Sequence, residues 1–162
     1  MALINGLKPK WPGNVFLCGS ESRGWREELI SKCDYYTCFY DPTEECSKNA
    51  EREKWYCKGT AGMYVFVIEK EEDLTPEMFF ELGEIFGMGH HNLVFCYLGD
   101  RSVDSEPVRL LNSCIHKMYR YREAVICDSL DEVIEKINTR RQWVGRIPYP
   151  EKPWGLMNLP KD

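Results

Sequence analysis

Two stretches of the 162-residue chain set reactive side chains beside glycines and helix starts. The first is Cys18-Gly19-Ser20-Glu21-Ser22-Arg23-Gly24-Trp25-Arg26. Small residues let backbone N–H groups approach an anion, a helix start adds positive potential, and Arg23 or Arg26 offers charge-assisted hydrogen bonds suited to phosphate. Any tight strand-to-helix turn also selects glycine and serine, so the arginines carry the functional reading. The second is Thr75-Pro76-Glu77-Met78-Phe79-Phe80-Glu81-Leu82-Gly83-Glu84. Glu81 stands between Phe80 and Leu82 on a largely apolar helix, an expensive place for a carboxylate unless something uses it. The plain alternative is that Glu77, Glu81 and Glu84 form one solvated face.

Weaker signals surround these two. An acidic run over residues 69–73 ends in Asp73, which could approach a ligand held above a sheet, although acidic loops are usually only solvated. His90-His91 falls at a helix-to-strand connection, on the edge away from a ligand crevice, and reads as structural or surface. Of the eight cysteines, Cys18, Cys96 and Cys127 sit in apolar runs, where cysteine acts as a small buried hydrophobe, so reduced thiols are expected. No cysteine or histidine pair has zinc-ligand spacing, and neither a metal nor a cofactor is expected.

The elements that would position these groups alternate regularly. Residues 14–18 read as a strand closed by Gly19-Ser20, and residues 25–32 as an amphipathic helix. Residues 35–40 form an aromatic strand stopping at Asp41-Pro42, and residues 43–57 are helix-permissive as far as Gly59. Residues 63–68 are a continuous apolar run, as expected for a strand buried on both faces of a parallel sheet. Thr75 caps the next helix, with Pro76 at its first position and an end near Gly87. A strand over 91–97, a helix over 107–121, a strand over 124–127 and a helix over 129–143 complete the series, the last capped by Ser129 with Glu132 three residues on.

This order predicts an α/β fold, a flavodoxin/Rossmann-like three-layer sandwich with a five-stranded parallel sheet and five helices. Ligands of such folds bind beyond the carboxyl ends of the strands, which points to the loops after Cys18, Ile68 and Tyr97. Gly83 and Gly87, one turn apart, predict close packing of their helix on a neighbour or a subunit contact. Residues 1–146 are expected to form one domain. Residues 147–162, with Pro148, Pro150, Pro153 and Pro160, read as an extended tail.

Lysine and arginine total 21 against 26 acidic residues, a formal net charge of −5, which disfavours a nucleic acid polymer as partner and leaves room for a small anion. No leader pattern and no apolar run of about 20 residues is present, so a soluble cytoplasmic protein without a membrane partner is expected.

Taken together the segments resemble the nucleoside 2-deoxyribosyltransferase superfamily, and within it the nucleoside 5′-monophosphate N-glycosidases. The likeness rests on Phe16-Leu17-Cys18-Gly19-Ser20 with Arg23-Gly24 and Arg26-Glu27, on Phe80-Glu81-Leu82-Gly83 with Gly87 and Gly89, and on Val108-Arg109-Leu110-Leu111-Asn112. It implies that Glu81 attacks the anomeric carbon and that Gly19, Ser20, Ser22, Arg23 and Gly24 bind the 5′-phosphate, with Phe16, Trp25 and Arg26 also in the substrate site. It further implies that Asn112 reaches across a homodimer interface into a shared active site, and that the substrate is a nucleoside 5′-monophosphate or a nucleoside. A glycosyl transition state has oxocarbenium character, which a carboxylate under the ring stabilises and can trap covalently.

The chain departs from the family pattern where an aspartate that helps protonate the departing base would stand. Lys54 occupies that position, and general-acid work is expected either to pass to Glu53 or Asp73 or to be weak. Phe16 replaces the tyrosine of deoxyribose-specific members, which implies tolerance of a ribose 2′-hydroxyl. Three alternatives to hydrolysis follow from the same residues: base exchange between nucleosides, a nucleotide-binding sensor without turnover, and an interaction module working through the proline-rich tail.

Overall fold

The computed structural model describes residues 3–4, 14–33, 38–43, 58–59, 61–87, 93–121 and 124–139. In chain order the elements are β1 (Leu3–Ile4), β2 (Asn14–Gly19), α1 (Gly24–Lys32), β3 (Cys38–Tyr40), β4 (Met63–Ile68), a one-turn 3₁₀ helix (Glu71–Asp73), α2 (Pro76–Gly87), β5 (Leu93–Tyr97), α3 (Glu106–Tyr121), β6 (Ala124–Cys127) and α4 (Leu130–Asn138). The sheet runs β1-β3-β2-β4-β5-β6. From β3 to β6 all neighbours are parallel. The two residues of β1 add an antiparallel edge through Leu3↔Tyr40 and Ile4↔Phe39, which the sequence pattern did not reveal.

The expected α/β three-layer sandwich with five parallel strands is the fold observed. Four of the five expected helices fall among the described residues. The fifth, over 43–57, lies outside them apart from Thr43, as do Glu53, Lys54, His90, His91 and the tail over 147–162. Among the described residues no helix is long and apolar enough to cross a membrane.

Strand periodicity divides the core in two, because successive side chains leave opposite faces of the sheet. Phe16, Tyr64, Phe66 and Phe95 pack against Leu82 and Ile85 of α2 and Val108, Leu111 and Ile115 of α3. Leu17, Val65, Val67 and Val94 pack against Trp25 and Leu29 of α1 and Val133, Ile134 and Ile137 of α4. All six residues of β4 are buried, as a strand covered on both faces requires.

Local rules set the helix starts. Met78 N–H donates to the Thr75 hydroxyl (3.2 Å), and Glu132 N–H donates to the Ser129 hydroxyl (3.2 Å) while the Glu132 carboxylate returns to Asp128 N–H (2.8 Å). The close helix packing expected at Gly83 and Gly87 is not seen among the described residues. A Cβ at either position would meet none of them within 4 Å. The amphipathic pattern of α1 is also impure, since its buried residues are Trp25, Leu29 and the charged Arg26.

Candidate functional site

Chain order creates the site. β2 connects to β3 on one side and, after β3, the chain returns to β4 on the other side of β2, so the sheet reverses direction of growth around β2. Open α/β sheets bind ligands at such a switch point. A cavity of about 420 Å³ opens there, lined by Cys18, Gly19, Glu21, Arg23, Arg26, Pro42, Thr43 and Glu81. Its size falls within the range of small-molecule sites.

Gly19 makes the turn at its base. Its φ is +103°, and a Cβ there would stand 2.0 Å from the Val67 carbonyl oxygen, so no other residue fits without moving β4. α1 then starts at Gly24, and Arg23 at its N-cap makes no side-chain capping bond. Its first N–H groups lack intrahelical partners, so the helix end presents donors and positive potential beside Arg23.

Arg26 is 2% exposed. Its Nη1 donates to Asp41 Oδ1 (2.8 Å) and its Nη2 to the Ser20 carbonyl (3.0 Å), and its guanidinium lies 4.4 Å from the centre of the Trp25 ring. Burial lowers its pKa, while the negative potential of Asp41, then Cys18 and Glu81, opposes the loss. The same Asp41 oxygen accepts from Thr43 N–H (2.9 Å) and the Thr43 hydroxyl (2.7 Å), which fixes the wall formed by Pro42 and Thr43.

Glu81 is half-buried and reaches the cavity from α2, whereas Glu77 and Glu84 are exposed. The three share one helix stripe, but only Glu77 and Glu84 are solvated on it. Glu84 instead binds Lys58 (2.6 Å).

The structure brings Glu81, Gly19, Arg23 and Arg26 together and sets other expected residues elsewhere. Phe16 is fully buried and stacks on Tyr40, with ring centres 5.2 Å apart, so it is a core residue instead of a substrate contact. Trp25 is 2% exposed, and its indole N–H donates to the Ser20 carbonyl (3.0 Å), which makes it a packing residue as well. The Ser20 hydroxyl donates to Asp73 Oδ2 (2.6 Å) and the Ser22 hydroxyl donates to Glu69, so neither faces the cavity with an unused proton. Asp73 is thus bound to the turn. Gly24 begins α1, and among the described residues nothing lies within 4 Å of where its Cβ would stand. Asn112 sits on α3 and is engaged within its own chain: Arg101 Nε donates to its Oδ1 (3.0 Å) and its Nδ2 donates to the Arg101 carbonyl (3.1 Å).

Sequence reading missed Glu21, Asp41, Pro42 and Thr43. Asp41 was already legible as the end of a strand, and its spacing two residues before a threonine is a turn signal that could have marked its carboxylate as the acceptor fixing this wall. Among the described residues no group of three histidine, cysteine or carboxylate side chains is arranged to hold a metal ion. Comparison with protein-family models, with curated proteins and with solved structures finds no match to this chain.

Proposed function

We propose that the protein hydrolyses the N-glycosidic bond of a nucleoside 5′-monophosphate, with Glu81 as nucleophile. The observation that carries this reading is the meeting of Glu81 with the glycine turn, Arg23 and Arg26 in one cavity. The phosphate takes hydrogen bonds from Arg23 and the open N-terminus of α1, which sets the sugar over the Glu81 carboxylate. A Glu81 oxygen bonds to the anomeric carbon as the bond to the base nitrogen breaks, and the bonding pair leaves with the base. Water then opens the glycosyl ester, its oxygen bonding to the anomeric carbon and its proton passing to the released base, which gives sugar phosphate and regenerates the carboxylate.

Two acids were candidates to protonate the departing base. Asp73 already accepts the Ser20 hydroxyl, and Glu53 lies outside the described residues. The engagement of Asp73 favours, as a second reading, a nucleotide-binding protein with little turnover.

A homodimer is part of the proposal. An apolar groove of about 180 Å³ runs between α2 and α3, lined by Phe79, Leu82, Phe86, Leu110 and Met118 among others. Beside it Phe80 is 76% exposed and Leu110 48%. A second copy covering this face would lie against the helix that bears Glu81.

The deciding experiment incubates the protein with ribo- and deoxyribonucleoside monophosphates and follows free base by chromatography, with Glu81→Gln as control. Base released by the wild type and not by the variant supports the reaction. Tight binding with no release selects the sensor, and transfer to an added second base selects exchange. No release and no binding refutes the proposal.

A further inference from the structure

Ser20 is 2% exposed, and each of its polar groups is engaged. Its N–H donates to the Val67 carbonyl of β4 (2.8 Å). Its carbonyl accepts from Trp25 Nε1 and Arg26 Nη2 of α1, both at 3.0 Å. Its hydroxyl accepts from Glu69 N–H (2.9 Å) and gives its one proton to Asp73 Oδ2 (2.6 Å), both in the loop that leads into α2. These contacts join the pieces that carry opposite walls of the cavity: β2 with α1 on one side, and the approach to the Glu81 helix on the other. The two hydroxyl contacts span 49 and 53 residues of sequence. They fix where α2 begins relative to the glycine turn, and Glu81 lies on α2 only about one and a half turns beyond its start.

We infer that Ser20 is the positioning centre of this site and that Asp73 is its anchor, not a proton donor to the departing base. The kinetic consequence rests on the glycosidase reading; the structural one does not. A hydroxyl whose proton is already given to a carboxylate has none to offer a phosphate. Asp73, for its part, needs only an acceptor oxygen to hold Ser20, and an asparagine amide supplies one. An amide cannot supply a catalytic proton. The two roles therefore separate in one substitution.

The first test needs no activity. Ser20→Ala, Asp73→Ala and the double variant are unfolded in urea and compared. The double variant is expected to be no less stable than the weaker single one, because the two changes remove one shared interaction. Additive losses overturn the inference. The second test measures kinetics on the best monophosphate substrate. Asp73→Ala is expected to lower kcat by about 10²-fold, the scale of a misplacement near 1 Å, with KM nearly unchanged. Asp73→Asn is expected to recover most of that loss and to keep the wild-type pH profile. Equal losses in Asp73→Asn and Asp73→Ala, with one limb of the profile gone, would make Asp73 the proton donor and overturn the inference. A wild type that releases no base, together with a non-additive urea cycle, refutes the reaction and keeps Ser20 at the centre of the site.

Discussion

The same substitution at two glycines should have opposite effects, and the contrast tests how the site is built. At Gly19 the backbone has φ +103°, and an alanine Cβ would fall 2.0 Å from the oxygen, 2.7 Å from the carbon and 2.9 Å from the nitrogen of Val67. All three are backbone atoms of β4, so relief requires separating two paired strands. Forcing a non-glycine residue into this region costs about 1–3 kcal/mol. Loss of the Ser20 N–H bond to Val67, with a buried group left unpaired, adds roughly 1–3 kcal/mol. Gly19→Ala should therefore destabilise by about 2–6 kcal/mol, a fall in Tm of roughly 4–24 °C. Gly83 lies within α2, and a Cβ there meets nothing within 4 Å among the described residues. Gly83→Ala should stabilise by about 0.5–1 kcal/mol through helix propensity alone. Urea unfolding of both variants at low protein concentration measures the difference. A Gly19→Ala protein within 1 kcal/mol of wild type would refute the reasoning, since the turn would then tolerate a side chain that the geometry forbids.

Arg23→Ala should weaken binding of a nucleoside monophosphate by roughly 10- to 100-fold, the worth of a charge-assisted hydrogen bond, and leave nucleoside binding unchanged; calorimetry on both ligands checks this. Asp41→Ala, which strands the buried Arg26, should cost about 3–5 kcal/mol, and the Arg26→Met/Asp41→Leu pair should recover much of it, as seen by urea unfolding. Burial pushes the Cys96 thiol from 9.0 up to about 12, with Cys127 beside it also raised, to about 11. The folded state thus holds protons that the unfolded state releases above its own thiol pKa, so this stability is intact below pH 9 and is lost between pH 9 and about 12. The slope should approach 1.4 kcal/mol per pH unit for each thiol, and Cys96→Ala should flatten it in urea titrations across that window.

The alternation of strands and helices was legible in the sequence because it depends on local rules. Residues 63–68 are apolar throughout since β4 is covered on both faces, and Thr75 and Ser129 cap helices through bonds to N–H groups three residues away. The turn at Gly19 and the arginines after it were legible for the same reason. The two-residue β1 was too short to leave a pattern, and it exists only because β3 offers an edge.

What tertiary structure decided was the assignment of each polar residue. Ser20, Phe16 and Trp25 looked like ligand contacts beside the turn, yet the fold turns them inward to hold it. Asp73 looked like a free acid, and Asp41 only like the end of a strand, until partners 53 and 15 residues away were brought to them. Periodicity reports which face of an element is apolar. It carries no information about which distant donor a buried carboxylate will meet, because that depends on how the strands are ordered in the sheet.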